Sequence, residues 1–469
     1  MGGTGTMSPV INKKSLLLPI AHTINLNLGC AGLGFILSLT GVALLDLVDI
    51  YDSNVGAVSH LMTSRCIGSL VGCLVGGRLF DRYNLQLLLI LTVAMMSGTF
   101  VFLPLCGNLP LAHCASFING MGVGAFDTGS QVRLVNIWPV NNGPVLQVFH
   151  FSFGVGSLLA PLLAQPFLSG LPRDHLAGNL SDSNTSLPES TSFLNSTVTN
   201  YYEESKIQYA FLIVSIYIAV IAVCMTLLYI VDNKETSERQ ASTQKVHNDV
   251  APSNRDIRFT RTFLALTGIY VFVYVAMECS YGQMLTTFGV KSDLRMTVSS
   301  AAYLTQVFFV TFTLARVLAA VMALKVTPFG MLLASNLLLV GTYAILMPWG
   351  ASSSLLLWVG TAVSGIGQAS IYGAAVSFCV EYVVLTNANM SLIIVMSGVG
   401  AMLSPVLVGQ FIDDFPMVLM YTCFVASLVM ALVLILLHLL TRNCEKLCDA
   451  DKNATRVEEQ GSMLTYSKE

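Results

Sequence analysis

Apolar residues along this chain gather into long runs separated by short polar joints, and the run length is the first clue to architecture. The runs cover about 18–45, 55–77, 85–105, 110–132, 143–168 and 207–231, then 262–287, 299–323, 328–348, 354–378, 390–412 and 417–440. A helix rises 1.5 Å per residue, so about 20 apolar residues cross the hydrocarbon core of a bilayer. Only a helix satisfies its own backbone within such a run. The pattern predicts an all-α polytopic membrane protein with twelve transmembrane helices. Its expected organisation is an N-terminal segment 1–17, a six-helix bundle 18–231, a linker 232–261, a second six-helix bundle 262–441 and a tail 442–469. Within the first bundle, residues 169–206 form a long polar loop.

Composition narrows the class. The 469 residues are 54% hydrophobic and 10% charged, with a mean hydropathy of +0.71. Ordinary globular chains carry about 25% charged residues, so a water-facing surface cannot be assembled here. The net charge of −3 and the scattered Lys and Arg exclude a nucleic-acid surface. Lys13 and Lys14 lead into a run too long for a signal-peptide core, so no cleavable leader is expected. The 11 cysteines are spread through apolar runs as packing residues. Cys106 and Cys114 flank one outer joint, where a disulfide is one option, and Cys444 and Cys448 are candidates for acylation just inside the last run. No nucleotide-binding loop, zinc spacing or hydrolytic triad is present, so the chain reads as no enzyme, with no catalytic residue, cofactor or structural metal.

Orientation follows from two independent signals. Placing both termini in the cytoplasm puts seventeen of the 23 Lys and Arg on the inner side, four outside and two, Arg65 and Arg316, within spans. The same topology puts residues 169–206 outside, and that loop carries Asn-x-Ser/Thr acceptors at Asn179, Asn184 and Asn195, which marks a glycosylated surface. Asn389 and Asn453 fall on the inner side and are expected to stay unmodified. The default location is the plasma membrane.

An internal repeat ties the two halves together. Gly154-Val155-Gly156 through Pro161 in the fifth span matches Gly398-Val399-Gly400 through Pro405 in the eleventh, both reading G-V-G-x-x-L-x-P. Gly120-Met121-Gly122 of span four answers Gly365-Ile366-Gly367 of span ten, and Arg65 of span two answers Arg316 of span eight. The repeat predicts two pseudo-symmetric six-helix bundles in parallel order, a common transporter plan. The glycines alone also read as packing positions where backbones approach closely.

Gly77-Arg78-Leu79-Phe80-Asp81-Arg82 at the end of span two resembles the G-x-L-x-D-R loop motif of the major facilitator superfamily. Gly124-Ala125-Phe126-Asp127-Thr128-Gly129, Ile137-Trp138, His150-Phe151-Ser152-Phe153-Gly154 and Glu278-Cys279-Ser280-Tyr281-Gly282 are similar to elements of its sodium-dependent glucose transporter-like family, of the major facilitator superfamily domain-containing protein 4 type, with Glu381-Tyr382 as an acidic and aromatic pair. That family is distantly akin to bacterial fucose–proton symporters. The resemblance implies the major facilitator fold, a hexose such as glucose as substrate and sodium as the co-transported ion. It also implies that Asp81, with Arg82 and Arg133, forms a cytoplasmic gate in which the aspartate meets an Arg and a helix N-terminus. The alternative for these charges is a purely topogenic role.

Ionisable groups inside a bilayer cost roughly 2.5–3.5 kcal/mol each and mark where transport chemistry is sought. Asp127 has Gln131 four residues on, hence on the same helical face, and the pair suits sugar hydroxyls, sodium or a proton. Glu278, with Tyr281 and Gln283 beyond it, offers the same chemistry from the second half. Gln147, His150, Gln306 and Gln368 suit hydroxyl recognition or packing, and Asn25, Asn27 and Asn119 are weaker candidates. Arg65 and Arg316 need counterions, with Asp127 and Glu278 the nearest in kind. The reading is a secondary active transporter of a hexose working by alternating access, coupled to sodium. Left open are a proton-coupled or uncoupled carrier of another small polar metabolite or of an organic anion met by the two arginines, and a non-transporting receptor or scaffold.

Overall fold

Helices begin where the sequence supplies caps. The computed structural model describes residues 13–53, 55–139, 142–168, 205–232, 254–412, 414–442 and 444. Asn179, Asn184, Asn195, Cys448, Asn453 and most of the linker lie outside the described residues. The first half comprises α1 (Lys13–Val42), a short α2 (Leu44–Ile50), α3 (Val55–Arg82), α4 (Leu85–Phe102), α5 (Leu109–Ile137), α6 (Asn142–Ala164) and α7 (Ile207–Asp232). The second comprises α8 (Asn254–Lys291), α9 (Val298–Met322), α10 (Pro328–Trp349), α11 (Ser354–Ala369), α12 (Ile371–Tyr382), α13 (Asn387–Phe411) and α14 (Val418–Thr441). Asn84 accepts from the N–H groups of Gln86 and Leu87 at the start of α4, and Asn108 accepts from Leu111 at the start of α5. Thr297, Thr327, Ser353 and Thr386 do the same for α9, α10, α11 and α13. Each cap satisfies a donor that a helix start leaves unpaired.

Among the described residues, eleven helical spans are long and apolar enough to cross a membrane. The expected twelfth, α5, is a 29-residue helix that falls short because its buried positions include Asn119, Thr128, Ser130 and Gln131. It lies inside the bundle, where an apolar surface is not required of it. Two features depart from the expected boundaries. α7 runs to Asp232 and α8 starts at Asn254, so helix replaces both ends of the segment read as linker. The tenth span, expected as one run over 354–378, is two helices, α11 and α12, broken at Ser370.

The repeat is visible in how helices pair. In the first half α3 packs on α5, α1 on α6 and α4 on α7; in the second α9 packs on α11, α8 on α13 and α10 on α14. Matched glycines set these approaches. A Cβ on Gly156 would lie 2.0 Å from the Ala31 carbonyl oxygen, and one on its counterpart Gly400 would lie 2.4 Å from that of Phe272. Likewise a Cβ on Gly120 would lie 2.0 Å from the Arg65 carbonyl oxygen, and one on Gly365 would lie 2.3 Å from Thr311 Oγ1. Real side chains cannot fit there, so small residues bring the backbones together.

The halves meet through α3 and α5 on α13, and through α6 on α9 and α12. These contacts favour the face that carries the linker. The apolar core of the second half takes in Cys73, Val132, Val135 and Leu146 of the first, all from linker-side turns of α3, α5 and α6. At the same face the Asp81 carboxylate accepts from the backbone N–H groups of Asn387 and Ala388, both at 3.0 Å, and from Asn387 Nδ2 at 2.8 Å. Cys106 and Cys114, at the opposite loop face, are free thiols rather than a disulfide, and the Cys106 thiol donates to the Phe102 carbonyl.

Candidate transport site

Asp127 and Gln131 occupy one stripe of α5, and the helical spacing brings them together. Gln131 Nε2 donates to Asp127 Oδ1 at 2.9 Å. Arg133, near the end of the same helix, reaches Gln86 Oε1 at 3.5 Å. Asp127 lies ten residues from the end of α5, roughly 15 Å deep at 1.5 Å per residue.

The neighbouring α6 presents Gln147 and His150 to the second half. Gln147 Nε2 donates to the Ser370 carbonyl oxygen at 2.8 Å, at the break between α11 and α12. Arg316 Nη1 donates to the His150 carbonyl oxygen at 2.7 Å, and the His150 ring meets Tyr372 edge to face at 4.6 Å between centroids. Arg316 also lies over the Phe312 ring at 4.2 Å. Tyr274, one turn before Glu278 on α8, donates to the Gln368 carbonyl oxygen at 3.0 Å. Buried His150 Nε2, Gln131 Oε1, Gln147 Oε1 and Arg316 Nε have no protein partner. Buried polar atoms of this kind call for a hydrogen-bonding ligand or water.

The structure sorts the expected site residues into groups. Gln147, His150 and Arg316 meet between the halves, while the Asp127–Gln131 pair lies on α5 and Glu278 lies on α8 one turn beyond Tyr274. Tyr281 does not join them: it is fully buried against Phe308 and Tyr343, with its hydroxyl on Thr361 Oγ1 at 2.9 Å. Gln368 is likewise interior to the second half, donating to Tyr343 and Ser364. Tyr281 was expected to face substrate and Gln368 either substrate or packing; the helical phase turns both into their own bundle. Gln283 and Gln306 are exposed on the loop-face halves of α8 and α9, away from this cluster. Arg65 pairs with neither expected acid, because its Nη1 donates to the Ile36 carbonyl and Thr40 Oγ1 of α1, at 3.1 and 2.7 Å. Asn119 clasps α4 through Met96 and Thr99. Of the gate group, Asp81 meets a helix N-terminus across the halves, while Arg82 is exposed.

Sequence reasoning missed Tyr372, Tyr274 and Ser370. The repeat held a signal for the first: the offset that aligns Gly120 with Gly365 also aligns Asp127 with Tyr372. Tyr372 is buried and meets the first half through the edge of the His150 ring.

Two repeated helical bundles with intramembrane polar groups where they meet are the plan of a membrane carrier. The profile of the Major Facilitator Superfamily matches residues 26–383, and the chain belongs to that superfamily. It is a transporter, not an enzyme. The chain is 30% identical over 435 residues to the sodium-dependent glucose transporter 1 of Xenopus laevis, covering 92% of this chain and 84% of that protein. It is 24% identical over 422 residues to the major facilitator superfamily domain-containing protein 4A of Danio rerio, covering 80% of each. Its fold matches the transporter FucP, solved in an outward conformation, with a TM-score of 0.66 at 15% identity, covering 90% of this chain and 99% of that one.

Proposed function

We propose that the protein is a secondary active transporter that moves a hexose such as glucose by alternating access, driven by a cation gradient, with sodium the first candidate. The carrying observation is the set of intramembrane polar groups: the Asp127–Gln131 pair on α5 and, across the halves, Gln147 on the Ser370 carbonyl, Arg316 on the His150 carbonyl and the His150 ring on Tyr372. Carboxylate, amide and imidazole groups suit a neutral polyhydroxylated substrate, because each hydroxyl both donates and accepts. A partly buried carboxylate also binds a cation or a proton. Sodium is favoured by the names of the relatives, and both termini facing the cytoplasm by the basic-residue pattern, with the plasma membrane as the default location.

Coupling requires that closure be favourable when ion and sugar are bound together, or neither. One sodium moving inward through 100 mV contributes about 2.3 kcal/mol, nearly fifty-fold in concentration. The test is radiolabelled hexose uptake in proteoliposomes, comparing the parent with Asp127→Asn and Glu278→Gln and competing with a panel of sugars and organic anions. Hexose flux lowered in both variants supports the reading. Flux blocked only by organic anions transfers the site to Arg316 and contradicts it.

A further inference from the structure

We infer that the seam where α6 of the first half runs beside α12 of the second is a hydrated passage toward the linker face, with the Gln147 amide oxygen and the Ser377 hydroxyl as a station that accepts from water and from the hydroxyls of a passing substrate. The inference rests on the transporter reading above and adds a route and a subsite to it.

Two turns of α6 lie level with two turns of α12. A Cβ on Gly143 would lie 4.0 Å from Ser377 Cβ and 3.6 Å from Ser377 Oγ, and one on Gly373 would lie 3.1 Å from Gln147 Oε1. Gly143 and Gln147 are one turn apart, as are Gly373 and Ser377, so Gln147 and Ser377 face each other on a diagonal. They share a cavity of about 10 Å³, room for one water, whose other walls include Ala323, Met331 and Ala374. α6 begins at Asn142 on the linker face, and His150, whose carbonyl Arg316 holds, lies about one turn beyond Gln147. The cavity therefore stands between the interface cluster and that face.

The hydrogen bonds already made fix what the station takes. Gln147 Nε2 donates to the Ser370 carbonyl oxygen at 2.8 Å, and the Ser377 hydroxyl donates to the Gly373 carbonyl oxygen at 2.8 Å. Gln147 Oε1, buried and without a protein partner, and the Ser377 oxygen are left as acceptors. Such a site selects a neutral group that brings its own hydrogens, as water and sugar hydroxyls do. Two oxygens among apolar walls are too few for a bare cation. Even a Cβ on Gly143 would meet Ser377 and Ala323 at no less than 3.6 Å, so the helices are loosely apposed there and can part without rebuilding a core.

Two measurements test this. Ser377→Cys puts a thiol at the station, with native Cys379, fully buried two residues on, as an internal standard. A small water-soluble thiol reagent, read by peptide mass spectrometry, is expected to label position 377 about tenfold faster than Cys379, and Gly143→Met, which fills the cavity, is expected to slow that labelling to the Cys379 rate. Equal rates at the two positions without the filling residue overturn the inference. Gly143→Cys combined with Ser377→Cys sets two Cβ atoms 4.0 Å apart, close to the roughly 3.8 Å of a disulfide. Oxidation of this double variant in proteoliposomes is expected to lower hexose flux about tenfold against its own reduced form, and reductant to restore it, while oxidant leaves the parent unchanged. No cross-link, or a cross-linked protein that carries hexose at its reduced rate, overturns the route. A parent that moves no hexose while position 377 still labels fast removes the hexose reading and leaves the hydrated passage standing.

Discussion

Arg65 and Arg316 occupy equivalent positions in the repeat, yet their guanidinium groups serve different ends. Arg65 is absorbed within its own half by a carbonyl and a hydroxyl of α1. Arg316 crosses to the other half, onto the His150 carbonyl. Equivalent positions of the repeat thus hold a clasp within one half and a contact between halves. Asp127 has a similar economy: its oxygen is held by a neutral amide and not by a counterion, which leaves its charge available. Asp127→Asn is nearly isosteric. It is expected to shift the thermal midpoint by no more than about 2 °C while lowering ion-driven uptake about tenfold or more. Midpoint and uptake measured on one preparation check this, and a large fall in midpoint would make Asp127 a folding residue instead.

At the scale of helices, close approach and capping organise the molecule. Gly156→Val drives a side chain into the Ala31 carbonyl and is expected to separate α1 from α6, costing about 1–3 kcal/mol. Gly98→Ala is the control, because nothing lies within 4 Å of a Cβ there, and it should leave the thermal midpoint unchanged. Asp81 and Thr386 together serve the first N–H groups of α13, those of Asn387, Ala388 and Asn389. Asp81→Ala is expected to cost about 1–2 kcal/mol at that terminus and to speed amide exchange about tenfold in a peptide spanning residues 384–391. Exchange unchanged there would show that the carboxylate does not hold the face closed. Spans, caps and paired glycines were legible in the sequence because period and composition fix them locally. The helical neighbours Asp127 and Gln131 were legible for the same reason. The direction in which Tyr281 and Gln368 face was not, since both sit on helices with polar residues on more than one side, and only packing selects the inward one. The break at Ser370 also escaped, because no proline or glycine occupies it.

At the scale of the whole molecule, the two halves are joined at the linker face and through the middle by contacts of Asp81, Gln147, His150 and Arg316. Alternating access requires these contacts to break as others form at the loop face, and a ligand favours one arrangement only by binding it better. Most of them are single hydrogen bonds or ring edges, which suits an interface that must open repeatedly. The central claim is therefore that ion binding at this shared site drives sugar movement. The most direct measurement is hexose accumulation in sealed proteoliposomes under an inward sodium gradient, with choline replacing sodium and at two pH values. The account predicts accumulation above the external concentration that collapses in choline. Uptake that only equilibrates, and does so equally in sodium, in choline and at either pH, would contradict it.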